Sequence, residues 1–280
     1  MIRTFYLPGS TRYAGYFTPY APYLIDMISG NHTLIAGTTG AGKSTLENSI
    51  IKALLACKYP GADDNGQNAL LILLDPKRVE LRLFKDIPHC LLYADTIPDI
   101  LNGLYSIKTL IDNRLSRMIK EGRRKSAEAP VYVFIDEIVD LVTSPQGKEI
   151  TRVISDTISI SRACNVFYIL CTQAPNRKIL KPEIILNCNC RVALHCNSPI
   201  ESRQIIGDDS AINLPKHGLA IVHQDLERYQ IKIPIYSDLE LEYLARAWSE
   251  QKPGRLFTGK QNKTGGFWEK LKKAISALFK

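Results

Sequence analysis

The sequence predicts an α/β protein in which helices flank a largely parallel central sheet. Apolar runs of strand length recur along the chain, and several are nearly continuous in Leu, Ile and Val, which is typical of strands covered on both faces. Segments of helix length separate these runs, and this alternation favours parallel strands joined by right-handed crossovers. The 280 residues, 45% of them apolar and 23% charged, suffice for a sizeable core and exclude a disordered or collagen-like protein.

The individual elements follow from the apolar runs and from the segments between them. Strands are expected at residues 32–36, 69–75, 90–93, 131–136, 166–171, 191–194 and 219–222. Helices are expected at residues 44–57, 97–120 and 148–162. The glycine- and charge-rich stretches 61–68 and 122–130 lead into apolar strands and are expected to form surface loops. The basic run 114–125 ends a helix, where its charges complement the helix dipole, and is expected to be solvated.

Charge divides the chain into two parts. Residues 1–251 contain 28 basic and 27 acidic side chains, whereas residues 252–280 contain eight basic side chains and one acidic one. The sequence pI near 9.0 therefore comes mainly from the tail, and net charge alone is a weak argument for nucleic-acid binding by the body. We expect one domain over residues 1–251, followed by a flexible basic linker and a C-terminal amphipathic helix in residues 252–280.

The tail predicts a helix that needs a surface to fold on. Its apolar side chains fall within one arc of about 120° on a helical wheel, and most of its lysines lie outside that arc. Such a basic amphipathic helix suits packing on its own domain, a partner protein, DNA or an anionic membrane, and these alternatives stay open. The chain has no apolar run near the roughly 18–20 residues that span a bilayer, and its first residues lack a signal-peptide core. We expect a cytoplasmic protein.

The sharpest motif is GTTGAGKS at residues 37–44, which matches G-x-x-x-x-G-K-[ST] in full between a predicted strand and a predicted helix. Glycines let successive backbone N–H groups turn toward an anion, and the N-terminus of the following helix adds unpaired donors. Lys43 is expected to reach the β- and γ-phosphates of ATP, and the Ser44 hydroxyl is expected to coordinate Mg²⁺. The residues expected to contact the nucleotide are Gly37, Thr38, Thr39, Gly40, Ala41, Gly42, Lys43, Ser44 and Thr45.

Polar side chains end two further strand candidates. Asp136 and Glu137 follow the apolar run VYVFI, at the carboxyl edge where parallel sheets bind their ligands. Asp136 is expected to hold Mg²⁺ through water, and Glu137 is expected to orient and deprotonate the attacking water. Thr172 and Gln173 end the strand candidate that follows in the chain, and we expect them to sense the γ-phosphate.

Two other patterns leave alternatives open. The strand candidate 69–75 is followed by Pro76 and Lys77, and its polar end is either part of the site or a simple turn. Cys188, Cys190, His195 and Cys196 cluster in sequence, but the C-x-C spacing matches zinc ligands poorly, so reduced and buried side chains are favoured.

Four strings in this order resemble the FtsK/SpoIIIE family of ring-forming, DNA-pumping ATPases. They are TLIAGTTGAGKS, LLDPKRVELRLFKDIPH, VFIDEIVDLV and ILCTQAP, and a fifth string, ESRQIIGDDSAINLPKHGLAIV, is similar to the segment after the family's sensor strand. The D-P-K-x-V-E-L string followed by I-P-H is far more specific than a phosphate loop. The resemblance covers residues 28–222 and implies a RecA-like P-loop NTPase fold and ATP hydrolysis coupled to translocation of double-stranded DNA.

The resemblance also implies a homo-oligomer, a hexameric ring around the duplex, in which an arginine from the next subunit completes each site. Arg203 is favoured for that role, with Arg191 and Arg162 as alternatives. DNA phosphates are expected to contact basic residues in the loops after the strands at the catalytic edge, namely Lys148, Arg177, Lys178 and Lys181.

The chain also departs from the family's usual pattern. The family commonly has a longer N-terminal membrane region and a winged-helix DNA-reading domain, and neither is recognisable in these 280 residues. The resemblance therefore points to a stripped-down motor of the sort found on plasmids, conjugative elements or phages. Two alternatives stay open, a protein-secretion ATPase of the type VII kind and a nucleotide-dependent assembly or regulatory protein with little turnover.

Overall fold

A computed structural model describes residues 3–4, 30–56, 69–173, 180–233 and 236–250 of the chain. Its strands are β1 (Arg3–Thr4), β2 (Thr33–Ala36), β3 (Leu70–Leu74), β4 (Cys90–Ala94), β5 (Val131–Ile135), β6 (Val166–Thr172), β7 (Cys190–Ala193), β8 (Leu219–Gln224) and β9 (Glu227–Lys232). Its helices are α1 (Lys43–Ala56), α2 (Ile97–Lys120), α3 (Ile138–Val142), α4 (Gly147–Ser161), α5 (Pro182–Asn187), α6 (Pro199–Ile206) and α7 (Asp238–Glu250). Two 3₁₀ segments, Arg82–Phe84 and Ser210–Asn213, lie in the connections.

The strands of the described ranges form one sheet in the order β1-β9-β8-β7-β2-β6-β5-β3-β4. β8 is antiparallel to both of its neighbours, and the other pairings are parallel. The predicted fold class, a largely parallel sheet flanked by helices, is confirmed. The seven strands and three helices expected from the sequence agree with the structure to within two residues at their described ends.

The core lies on both faces of the sheet. Along β5, Val131 and Val133 belong to the cluster that includes α2 and α4, whereas Tyr132 and Phe134 belong to the cluster that includes α1. Successive side chains of a strand point to opposite faces, so a strand covered on both sides must be apolar throughout. This requirement explains the unbroken apolar runs of the sequence.

The strand order gathers four carboxyl ends at one edge of the sheet. β2, β6, β5 and β3 are consecutive neighbours, and their register aligns Ala36 with Thr172 and Ile135 with Leu74. The residues that follow these four strands therefore lie side by side, although they are far apart in the chain. Ligands of open parallel sheets bind at this edge.

Local sequence fixes the ends of helix α2, whose bounds match the prediction. Thr96 precedes the helix, and its hydroxyl oxygen accepts a hydrogen bond from the backbone N–H of Asp99 at 3.3 Å. Pro98 lies in the first turn, where its missing N–H removes no helical hydrogen bond. Arg117 and Lys120 lie in the last turn, at the negative end of the helix dipole.

Several short elements were not predicted. α3, α5 and α6 have five, six and eight residues, which is too short for a helical apolar period to be recognised. β9 has the sequence ERYQIK, which contains no apolar run, and it is stabilised by pairing along its length with β8. The amphipathic α7 was also missed, although Leu241 and Ala245 recur one turn apart and are buried.

Arg114 corrects the expectation that the whole basic run 114–125 is solvated. Its side chain is 1% exposed, and its guanidinium donates to the carbonyls of Cys164 and Ala129 at 2.9 Å and of Asn165 at 3.2 Å. Arg114 thus joins α2 to the segments that enter β5 and β6. The lysines and arginines at the end of the run are exposed as predicted.

Within the ranges listed above, no helix is both long and apolar enough to cross a lipid bilayer. The linker and helix predicted in residues 252–280 and the loop predicted at 61–68 lie outside the described residues, as do Arg177 and Lys178. Docking of the C-terminal helix to a membrane or to a protein therefore stays a prediction.

His32 is a buried polar link between β2, α4 and β6. Its Nε2 donates to the carbonyl of Ile158 at 2.8 Å, and its Nδ1 accepts from the backbone N–H of Tyr168 at 3.0 Å. This pair of bonds requires a neutral ring, because a proton on Nδ1 would remove the acceptor. Burial accordingly lowers the pKa of His32 from 6.5 to about 4.

We predict that His32 makes the fold sensitive to acid. Because its folded pKa lies below its unfolded value, its contribution to stability is complete above pH 6.5 and is lost as the pH falls toward 4. In His32→Asn the amide oxygen can accept the hydrogen bond from the backbone N–H of Tyr168. Between pH 7 and pH 4 the unfolding free energy of this variant should fall by about 3 kcal/mol less than that of the wild type. Urea unfolding at both pH values measures this difference. His217→Asn, in an exposed loop, should lose as much as the wild type, and an equal loss in His32→Asn would contradict the assignment.

Candidate active site

The phosphate-loop motif joins β2 to α1 in a tightly held turn. Gly42 has a φ of 95°, which side-chain-bearing residues rarely adopt, and α1 begins at the next residue. A Cβ at Gly37 would lie 2.5 Å from the Cβ of Leu194, so only glycine fits there. The backbone N–H and hydroxyl of Thr38 both donate to the carbonyl of His195, at 3.0 and 3.1 Å. The first N–H groups of α1 have no acceptor within the helix, which suits an anion.

Lys43 is buried between two carboxylates. Its Nζ donates to Oδ1 of Asp136 and lies 3.6 Å from Oε2 of Glu47. Although burial opposes the charge, Glu47, Asp136 and the neighbouring Cys171 raise the pKa of Lys43. The side chain is 8% exposed, so its ammonium is held at the carboxyl edge of the sheet without a shell of solvent.

Glu47 is a buried acid that the sequence analysis did not single out. It lies one helical turn after Lys43, is fully buried, and has no N–H or O–H donor among the described residues for either carboxylate oxygen. Burial raises the pKa of Glu47 from 4.5 to about 7, against the opposing charge of Lys43. The signal in the sequence is an acid three, four and seven residues before the apolar Ile50, Ile51 and Leu54, which places it on the inward face of the helix.

Glu137 lies where β5 ends and α3 begins, in a left-handed backbone conformation with φ of 59°. Its Oε1 accepts from the hydroxyl of Thr172 at 2.7 Å, and the backbone N–H of Gln173 lies 3.2 and 3.1 Å from Oε1 and Oε2. The side chain of Gln173 in turn accepts from the hydroxyl of Thr39 at 2.8 Å. A non-glycine residue in this conformation is strained, and such strain is common at functional sites.

The end of β3 contacts Glu137, which favours a segment of the candidate site over a simple turn. Lys77 Nζ donates to Oε2 of Glu137 at 3.2 Å, and Asp75 is fully buried in the turn that carries it. The signal was a polar D-P-K triplet after an apolar strand. This triplet alone does not predict a contact with Glu137, because only the order of strands in the sheet places β3 beside β5.

The residues proposed to hold Mg²⁺ offer the oxygen donors that this ion prefers. Oδ2 of Asp136 is buried and accepts no hydrogen bond from the described residues, so one carboxylate oxygen is left for a ligand. Ser44, in the first turn of α1, supplies a half-buried hydroxyl on the neighbouring element. The donor set therefore fits the ion.

The predicted arginines, Lys148 and Lys181 lie outside the cluster formed by Lys43, Asp136 and Glu137. Arg203 is exposed and paired with Asp209, with a 2.6 Å hydrogen bond. Arg191 donates to the carbonyls of Cys188 and Ile185, both at 3.3 Å. Lys148 at the start of α4 and Lys181 just before α5 are both exposed. Arg162 is exposed just after α4, four residues before β6 begins, and thus at the sheet edge opposite the phosphate loop.

The sulfur and imidazole cluster near β7 belongs to the core. Cys188 and Cys196 are buried and direct their thiols to the carbonyls of Ile184 and Leu194, at 3.4 and 3.5 Å. His195 Nδ1 lies 2.7 Å from the carbonyl oxygen of Leu214. In the part of the chain that the structure describes, no three His, Cys, Asp or Glu side chains are grouped to bind a metal.

Comparison with known proteins places these features in a family. The FtsK/SpoIIIE family model matches residues 19–208. Two proteins named DNA translocase FtsK, from Borreliella burgdorferi and Treponema pallidum, are 31% identical over 228 residues and 32% identical over 213 residues. These alignments cover 75% and 70% of this chain but only 28% and 26% of the relatives, so the chain spans little more than a quarter of their length.

Solved structures share the fold at low sequence identity. The conjugation coupling protein TcpA of pCW3, determined with ATPγS, superposes with a TM-score of 0.67 at 18% identity, covering 78% of this chain and 64% of TcpA. The cytoplasmic domain of the Thermomonospora curvata type VII secretion ATPase EccC gives a TM-score of 0.65 at 17% identity, covering 82% of this chain and 29% of EccC. These likenesses confirm the predicted P-loop NTPase fold.

Removal of the buried charge at Glu47 should stabilise the protein above neutral pH. Because the folded state raises the pKa of Glu47 from 4.5 to about 7, ionisation of this group costs stability as the pH rises through that interval. Glu47→Gln should therefore gain stability relative to the wild type by up to about 3 kcal/mol more at pH 8 than at pH 5. Urea unfolding measures the gain, and the exposed Glu183→Gln serves as the control. A gain that does not depend on pH would contradict this assignment.

Proposed function

The chain belongs to the FtsK/SpoIIIE family, and on that premise we propose that it is an ATP-driven translocase of double-stranded DNA. The observation that carries the proposal is the convergence of Lys43, Asp136 and Glu137 at one edge of the sheet. The FtsK relatives are named as DNA translocases, and TcpA as a conjugation coupling protein, which favours a role in DNA transfer or partitioning by a mobile element. A motor of this kind works in the cytoplasm, where it meets ATP and duplex DNA.

Nucleotide binding is assigned to the phosphate loop and to Lys43. The N–H groups at the start of α1 and the ammonium of Lys43 bind the polyphosphate, which replaces Asp136 as the partner of that ammonium. Ser44 and Asp136 would hold Mg²⁺, which supplies charge neutralisation across the β- and γ-phosphates when it is bound. Asp136 is suited to hold the ion because its Oδ2 accepts no hydrogen bond from the described residues.

Hydrolysis is assigned to Glu137. Its side chain, 5% exposed, is held by Thr172 and by the N–H of Gln173, and its carboxylate accepts a proton from the water that attacks the γ-phosphate. Thr172 and Gln173 end the strand between the phosphate loop and Glu137, and Gln173 also contacts Thr39 of that loop. This position supports the proposal that the pair senses whether a γ-phosphate is present.

A hexameric ring is proposed, with an arginine from the neighbouring subunit at each site. Arg162 is exposed at the sheet edge opposite its own phosphate loop, so it lies away from its own site and is available to a neighbour's. Arg203 is already paired with Asp209, and Arg191 binds its own backbone carbonyls. The geometry therefore favours Arg162 over Arg203 for the role in trans, and Arg203 is kept as the alternative.

DNA contacts are proposed for basic residues that follow β5 and β6. Lys148 and Lys181 are exposed, and each lies in a segment that leaves the carboxyl edge of the sheet. Arg177 and Lys178 are included from the sequence. A translocating motor must release DNA at every step, so a few phosphate contacts of this kind suffice.

ATPase measurements test the proposed function. Lys43→Ala should abolish nucleotide binding and turnover, because the phosphates lose their principal cation. Glu137→Gln should bind nucleotide normally and lose roughly 10²–10⁴-fold in kcat. Linear duplex DNA should stimulate the wild type several-fold, and triplex displacement should report movement along it. Turnover that ignores duplex DNA would favour a secretion ATPase, and negligible wild-type turnover would favour an assembly or regulatory protein.

Mixing of inactive variants tests the arginine in trans. Arg162→Ala should lower kcat by about 10³–10⁵-fold, as expected for an arginine that stabilises charge on the transferring phosphoryl group. A mixture of Arg162→Ala and Lys43→Ala subunits should regain activity. The phosphate loop of an Arg162→Ala subunit is intact, and a neighbouring Lys43→Ala subunit supplies the missing Arg162. Arg203→Ala is measured in the same way, and Arg152→Ala, a surface residue paired within α4, is the control. Recovery by the Arg203 mixture alone would reverse the assignment.

A further inference from the structure

The connection after β3 carries a lysine that the proposed mechanism does not use. Asp75 is fully buried, and its carboxylate accepts from the backbone N–H of Arg78 at 2.8 Å and of Leu81 at 3.1 Å. Arg78 has a left-handed backbone with φ of 64°, so the turn adopts a conformation that its own hydrogen bonds must hold. The turn is therefore specifically built, and it fixes the position from which Lys77 projects.

Lys77 supplies the one positive charge that contacts Glu137 among the described residues. Its ammonium donates to Oε2 at 3.2 Å, and the other donors to this carboxylate are the neutral hydroxyl of Thr172 and the N–H of Gln173. The side chain of Glu137 is 5% exposed, whereas that of Lys77 is 33% exposed. A hydrogen bond from an ammonium at this distance restricts the rotation of a buried carboxylate.

The two adjacent acids of the site thus have separate lysines. Asp136 pairs with Lys43 from the phosphate loop, and Glu137 pairs with Lys77 from the connection after β3. When a nucleotide draws Lys43 toward its phosphates, Lys77 is the cation that remains with Glu137.

We propose that Lys77 is a positioning residue for hydrolysis, which acts through Glu137 and does not bind the nucleotide. Its ammonium holds the Glu137 carboxylate in the orientation that faces the attacking water. This role rests on the proposed function, because it assumes that Glu137 is the general base.

Steady-state kinetics of the full chain test this role. Lys77→Met should lower kcat by roughly 10–100-fold, less than loss of the base itself, while KM for ATP changes by no more than about twofold. Lys77→Arg should recover most of the activity, because the guanidinium keeps the charge at the same carboxylate. Lys85→Met is the matched control, since Lys85 is a lysine of the same connection whose partner, Asp86, is exposed. It should behave as the wild type.

A binding measurement separates positioning from nucleotide contact. The Kd of a fluorescent ATP analogue should be the same for wild type and Lys77→Met, and thermal unfolding should show the same midpoint. A raised Kd with an unchanged kcat would mean that Lys77 binds phosphate and would overturn the inference. A wild-type kcat in Lys77→Met would do so as well.

The double variant Lys77→Met/Glu137→Gln tests whether Lys77 acts through Glu137. Its kcat should equal that of Glu137→Gln, because a positioning residue has no effect once the base is absent. A further loss in the double variant would show that Lys77 acts elsewhere. If wild type turns over and Glu137→Gln does not, these results bear on Lys77 alone. If wild type does not turn over, the proposed function and the inference both fail.

Discussion

The side chains of the candidate active site lie at the ends of four strands that become neighbours only in the folded sheet. The order β2-β6-β5-β3 places Thr172 and Gln173 between the phosphate loop and the acid pair, and it places the turn after β3 against Glu137. Because the carboxyl ends of adjacent parallel strands lie about 4.8 Å apart, side chains of ordinary length can reach one another across this edge. The chemistry thus depends on strand order, and strand order depends on packing an apolar sheet between two layers of helices.

Charged side chains that are buried at this edge of the sheet need partners of opposite charge. Lys43 is nearly enclosed with Asp136 and Glu47, and an ammonium or carboxylate in such surroundings must be paired or must change its protonation. Asp136 and Lys43 form a direct ion pair. Glu47 is the surplus acid, since one ammonium serves two carboxylates. A triphosphate that binds here would compete with these two carboxylates for the ammonium of Lys43.

The sequence predicted most of the sheet and the identity of the phosphate loop because those features obey local rules. Continuous apolar runs such as 131–135 indicate buried strands, and the spacing of glycines and Lys43 indicates a loop around an anion. Contacts that depend on strand order have no local signal, and Lys77 reaches Glu137 only because β3 lies beside β5. Arg114 was misjudged for a related reason, since only the folded chain places three backbone carbonyls around its guanidinium.

Because Gly37 lies so close to Leu194, position 37 tolerates substitution less well than position 194. The atom that a new Cβ at position 37 would strike is itself a Cβ, 2.5 Å away, and every amino acid except glycine carries that atom. Shortening Leu194 to alanine would therefore not make room for a larger residue at 37. The side chain of Leu194 can vary beyond its Cβ. A larger residue at position 37, by contrast, would require glycine at position 194. During evolution, substitutions in this pair should therefore occur at position 194 and not at position 37.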